Sequence, residues 1–131
     1  MKRQLLALAT GAALVASTGA ALAHHSFAMF DSNQRMTLSG TVREFQWTNP
    51  HAWIMLTVAD PEGRPAQWAI ELGGPGQLAR QGWNAGTLAP GMKVEVAIHP
   101  LRDGTNGGQF MGLTFPDGTQ LGRDRGADGA Q

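Results

Sequence analysis

Gln67-Trp68-Ala69-Ile70-Glu71-Leu72-Gly73-Gly74-Pro75-Gly76-Gln77-Leu78-Ala79-Arg80-Gln81-Gly82-Trp83 holds the change of period on which the architecture turns. Up to Leu72 the pattern alternates, with Trp68, Ile70 and Leu72 on one side and Gln67, Ala69 and Glu71 on the other, as a half-buried strand requires. Gly73-Gly74-Pro75-Gly76 stops the strand. Gln77 to Trp83 then reads as a short helix closed by a glycine near its end, with Leu78 and Trp83 plugging the core.

Upstream of this stretch lie two more strands. In Thr37 to Trp47, Leu38 and Val42 share a face with Gly40 between them. Phe45 and Trp47 fall on the opposite parity, so a bulge or coil is expected inside a long first strand. Asn49-Pro50 breaks the run, because proline cannot donate to a ladder and pushes Asn49 out of the helical region. The second strand, Ala52 to Ala59, turns Ile54, Leu56 and Val58 inward and Trp53 and Met55 outward. Asp60-Pro61-Glu62-Gly63 is turn chemistry and makes the next strand a hairpin partner.

Downstream, Thr87-Leu88-Ala89-Pro90-Gly91 is a turn, and Lys93 to His99 buries Val94, Val96 and Ile98, with Glu95 and Ala97 opposite. Arg102 to Gly108 reads as a flexible loop. Gln109 to Phe115 is the fifth strand, with Met111, Leu113 and Phe115 on one face, and Thr119 to Leu121 adds a short sixth. Three strands, a short helix and two more strands is the order of an all-β, five- to six-stranded OB-fold-like barrel, with its helix between strands three and four. The competing immunoglobulin-like sandwich needs about seven strands and no helix in its connections.

Outside the barrel, the first 23 residues have the form of a secretory signal peptide. Lys2-Arg3 precede an apolar run from Leu5 to Val15, followed by small residues and Ala21-Leu22-Ala23. The run is too short to span a bilayer, no cysteine follows it to carry lipid, and Lys2-Arg3 is not a twin-arginine signal. Cleavage before His24 predicts a periplasmic protein without a membrane anchor, with an N-terminal arm over 24–36, a barrel over 37–121 and a disordered tail over 122–131.

Composition narrows the chemistry. The 131 residues hold one domain, and the absence of cysteine removes disulfides, thiolate zinc sites, iron–sulfur clusters and thiol nucleophiles. Ten basic residues balance ten acidic ones, and loss of Lys2 and Arg3 with the leader leaves eight against ten, a net charge of −2. No basic stripe accompanies the aromatics Trp47, Trp53 and Phe110, so an exposed aromatic face formed by them is not a nucleic-acid platform.

Four histidines remain for metal chemistry. A mature chain beginning His24-His25-Ser26 offers a free amine and an imidazole to one ion, and such nitrogen donors suit Cu(II). The amine (pKa about 7.7 to 8.0) and imidazole (about 6.5) must lose protons, so binding weakens below neutrality. His25 can instead bind with the amine and the intervening amide, a chelate that needs no fold. His51, just after the Asn49-Pro50 turn, is the candidate third imidazole, whereas His99 has a rim position. The five mature methionines, Met29, Met36, Met55, Met92 and Met111, are scattered, and Met55 and Met111 read as core filling.

No catalytic constellation emerges. Ser26 lacks a nucleophile elbow and adjacent residues of an extended arm point apart. The carboxylate pairs Glu44 with Glu71, and Asp103 with Asp117, read as solvent-facing charges. Gly73 to Gly76 lacks a phosphate-loop pattern.

Ala23-His24-His25-Ser26-Phe27, Leu38-Ser39-Gly40-Thr41-Val42, Trp47-Thr48-Asn49-Pro50-His51-Ala52-Trp53, Trp68-Ala69-Ile70-Glu71-Leu72-Gly73 and Leu88-Ala89-Pro90-Gly91 together resemble a family of small exported bacterial proteins, domain of unknown function 6152. The resemblance covers nearly all of the mature chain. It implies export and a small β-barrel and implies no established activity. Matching positions are His24, His25, Asn49, Pro50, His51, Trp53, Glu71 and Gly73. The expectation is therefore a non-enzymatic periplasmic protein that binds copper(II) through His24 with His51 or His25, with Trp47, Asn49, Trp53 and Glu71 as a possible binding face. The alternative is a metal-free barrel that docks a partner protein or an envelope glycan.

Overall fold

The computed structural model describes residues 28–122, all in one barrel. Its elements are β1 (Met36–Gln46), β2 (Trp53–Ala59), β3 (Pro65–Glu71), α1 (Pro75–Ala79), β4 (Lys93–Pro100), β5 (Gly107–Thr114) and β6 (Gln120–Gly122). The sheet runs β3-β2-β1-β4-β5-β6, and a parallel β3–β5 pairing at Ala69–Gly107, Ile70–Gly108 and Glu71–Gln109 closes it. Five strands paired in the circuit 1-2-3-5-4-1 make the OB barrel; β6 is the added strand. Among the described residues no helix is long and apolar enough to cross a membrane.

Two bulges explain how short strands wrap this far. In β1 the pairing slips between Val42 and Glu44, so Arg43 is the extra residue. Parity reverses there: Leu38 and Val42 point inward before it, and Phe45, opposite the fully buried Ile54, points inward after it. This is the change of face that the apolar spacing implies. Gly40 lies where β1 passes from β4 to β2, and a Cβ there would stand 2.5 Å from the Thr57 carbonyl oxygen.

The second bulge was not expected. Ala97 pairs with Gly112 but Ile98 pairs with Phe110, leaving Met111 as the extra residue of β5. Phe110 therefore shares the inward face with Ile98 and Leu113, and Met111 leaves the face assigned to it by simple alternation. Met55 and Met111 are half-buried instead of filling the centre. Ala97 is buried despite its outward parity, a methyl flanked on both sides by β1 and β5.

The core consists of Val42, Ile54, Leu56, Ile70, Val96, Ile98 and Leu113, all at most 2% exposed. Burial of each such side chain contributes about 1.5–3 kcal/mol. The helix starts two residues earlier than its pattern suggests, because Pro75 is preorganised for the first turn and lacks a donor that the turn would leave unpaired. It also ends earlier, at Ala79, and the chain closes over it through Gly82 at φ +90°, with the Trp83 N–H donating to the Leu78 carbonyl at 3.1 Å. Leu78 and Trp83 are buried as plugs. The span from Arg102 to Gly108 is not wholly loop. Gly107 and Gly108 belong to β5, where a Cβ would meet Leu101 and Ile98 respectively, each at 2.6 Å.

Candidate functional site

Barrel closure brings four segments to one end: the β1–β2 loop, the turn after β3, the start of β5 and the arm before β1. The arm is tied down by backbone pairing. The Asp31 N–H donates to the Pro100 carbonyl at 2.8 Å, the Arg102 N–H donates to the Met29 carbonyl at 2.9 Å, and Phe30, 5% exposed, bridges to Leu101. Arg102 Nε also donates to the Ala28 carbonyl at 3.0 Å.

Asn49–Pro50 is a cis peptide, and the loop it shapes is bonded to the turn after β3. The Ala52 N–H donates to the Gly73 carbonyl at 3.0 Å, and the Leu72 N–H donates to the Ala52 carbonyl at 2.9 Å. Gly74 permits this approach, because a Cβ there would lie 2.8 Å from the Pro50 carbonyl oxygen. Thr48 Oγ1 donates to the His51 carbonyl at 3.0 Å and secures the loop.

His51 is thereby pinned. Its Nδ1 lies 2.9 Å from the Leu72 carbonyl oxygen and 3.1 Å from Glu71 Oε1. Both neighbours are acceptors, so Nδ1 must carry the proton, and in the neutral ring Nε2 holds the lone pair. No described residue bonds Nε2. An imidazole whose other nitrogen donates to a carbonyl or carboxylate is the arrangement that orients metal-binding histidines.

His51 and Glu71 line an open cavity of about 540 Å³, together with Phe30, Gln77, Gln109 and Phe110. Among the described residues no group of three or more histidine, aspartate or glutamate side chains gathers to hold a metal. His24 and His25 lie outside the described residues.

The other expected residues are spread more widely. Trp53 pairs in register with Glu71, so these two share the outer face next to His51. Trp47 instead packs toward the core, edge-on to Phe45 at 5.8 Å, and Phe45 in turn neighbours Trp83. Phe110 meets Trp83 at 5.5 Å. The three aromatics Trp47, Trp53 and Phe110 thus form no common face: the bulges at Arg43 and Met111 turn two of them inward. Asn49 is exposed at the loop. His99 Nδ1 is 2.6 Å from the Gln34 carbonyl oxygen, where it fastens the arm at the rim.

The imagined carboxylate pairs do not form. Glu44 pairs in register with Met55, away from Glu71, while Asp103 and Asp117 each bond within their own turns, to Thr105 and Thr119. Hydrogen bonds from the Thr105 side chain and backbone hold the Asp103 carboxyl below its ordinary value, and those from the Thr119 backbone and side chain do the same for Asp117.

Sequence reasoning missed Phe30, Gln77, Gln81 and Gln109 as cavity residues. Only the β3–β5 register, which places Gln109 beside Glu71, could have revealed the last of them. Comparison with curated proteins and with solved structures finds no match. The model of a family of unknown function, DUF6152, matches residues 12–110, and the chain belongs to that family.

Proposed function

We propose that the chain is an exported periplasmic binding protein without catalytic activity, which holds Cu(II) through the amine and imidazole of His24 and the Nε2 of His51. The observation that carries this reading is the pinned imidazole: His51 donates through Nδ1 to Leu72 and Glu71, leaving Nε2 as a lone-pair donor at a cavity. Phe30 lines the same cavity, and from Ala28, where Arg102 holds the arm, the four residues back to His24 can span up to about 14 Å. Two imidazoles and an amine form a nitrogen set that favours copper(II) over other divalent ions.

Titration of Cu(II) into protein beginning at His24, beside a version extended by one residue, tests the reading. The extension and His51→Ala are each expected to weaken binding and change the copper spectrum. Glu71→Ala is expected to weaken it about 10- to 100-fold, as loss of an orienting partner does. Unchanged affinity and spectrum in His51→Ala would leave only a terminal peptide chelate and end the case for a folded site.

A further inference from the structure

The cavity beside His51 has a second set of donors that the copper reading leaves idle. Gln77, Gln81 and Gln109 border it, and no described residue hydrogen-bonds their carboxamides. Each carboxamide offers two N–H donors and an acceptor. They come from α1, the turn after it and the first residues of β5, so rigid backbone places them around one space. Gly73 contributes by omission: a Cβ there would run into the Gln77 side chain, so its absence lets that amide lie over the backbone at the cavity edge.

The lining also excludes ligand classes. No lysine or arginine contributes, so a phosphate or carboxylate would find no fork or point charge to meet it, and next to Glu71 it would be repelled. Nucleic acid is disfavoured on the same ground. Amide groups beside a carboxylate acceptor suit a neutral ligand that both donates and accepts hydrogen bonds. Adjacent sugar hydroxyls do both. The volume of about 540 Å³ falls within the roughly 300–1,000 Å³ of small-molecule sites. OB barrels, moreover, use their loops to bind oligosaccharides.

We infer that this cavity binds a short neutral saccharide through Gln77, Gln81 and Gln109. The inference does not rest on the copper reading, because none of the three amides is a ligand in it. The test is an NMR titration of the metal-free mature protein with maltose, cellobiose and N,N′-diacetylchitobiose, with glucose 6-phosphate as the anionic control. At least one neutral disaccharide is expected to give saturable shifts in the glutamine side-chain amides. Gln77→Ala and Gln109→Ala are each expected to weaken it up to about tenfold, the effect of one lost neutral hydrogen bond, while Cu(II) uptake is unchanged. Gln81→Ala, at an exposed position, gives the same readout if the Gln109 variant loses its fold. Three silent neutral sugars, binding unaffected by the glutamine substitutions, or equal binding of the phosphate sugar would each overturn the inference.

Discussion

At the residue scale, the chemistry of this barrel depends on which atom of a side chain is already engaged. His51 and His99 both bond through Nδ1 to a backbone carbonyl, Leu72 and Gln34 respectively, yet only His51 has a carboxylate beside that nitrogen and a cavity beside the ring. The same tautomer thus leaves Nε2 beside a cavity in one case and fastens the arm in the other. Gly40 shows the converse, a residue chosen for what it lacks. Its missing Cβ would stand 2.5 Å from the Thr57 carbonyl oxygen, 2.9 Å from Leu56 and 3.0 Å from Val58. Gly40→Ala is expected to cost about 1–3 kcal/mol, the usual range for overpacking, because a backbone oxygen inside a ladder cannot swing away. Urea unfolding of the purified variant measures this, and a midpoint equal to that of the parent would show that β1 has slack at its crossing.

At the scale of elements, α1 matters less as a helix than as the holder of two plugs. A five-residue helix has no stability of its own, and its place is secured by burial of Leu78 and Trp83. Trp83 also joins Phe45 to Phe110, so removal of its ring would open a void between β1 and β5. Trp83→Ala is expected to destabilise the barrel by about 3–5 kcal/mol, measured by calorimetry. A change below about 1 kcal/mol would mean that the end of the barrel refills from neighbouring loops. How far the sequence discloses these elements depends on periodicity. The bulge in β1 announces itself because Val42 and Phe45 are both large and apolar on opposite parities. The bulge in β5 hides because Phe110, Met111 and Leu113 are all apolar, so plain alternation through Met111 reads as well as the true register. The β3–β5 contact is invisible for another reason: Gly107 and Gly108 look like loop residues until the close approach of Leu101 and Ile98 explains them. The cavity followed from that contact and was equally out of sight, whereas His51 could be named from its place after the Asn49-Pro50 turn, and Glu71 from the family resemblance while its alternation reads only as a solvent-facing charge.

At the scale of the whole molecule, the described part carries no buried polar or charged residue, and three of its surface turns hold carboxyls lowered by hydrogen bonds. Asp60 accepts from the Arg64 and Glu62 backbone N–H groups and from Arg64 Nε. These bonds, that from the Arg64 backbone foremost, hold its carboxyl below the ordinary 3.8. Asp103 and Asp117 are lowered likewise. A carboxyl whose pKa is depressed on folding contributes stability above the unfolded value and loses it as pH falls through the folded value. Thermal stability is therefore expected to hold from neutrality down to about pH 4 and to decline below it. Asp60→Asn should flatten that decline in a pH series of melting curves, and an acid limb with the parental slope would remove Asp60 from the account. The late strip Gly107–Gln109 has one more consequence. Until it docks, β3 and β4 each keep a bare edge. Such remote pairing raises the contact order and makes closure of the ring a slow step of folding.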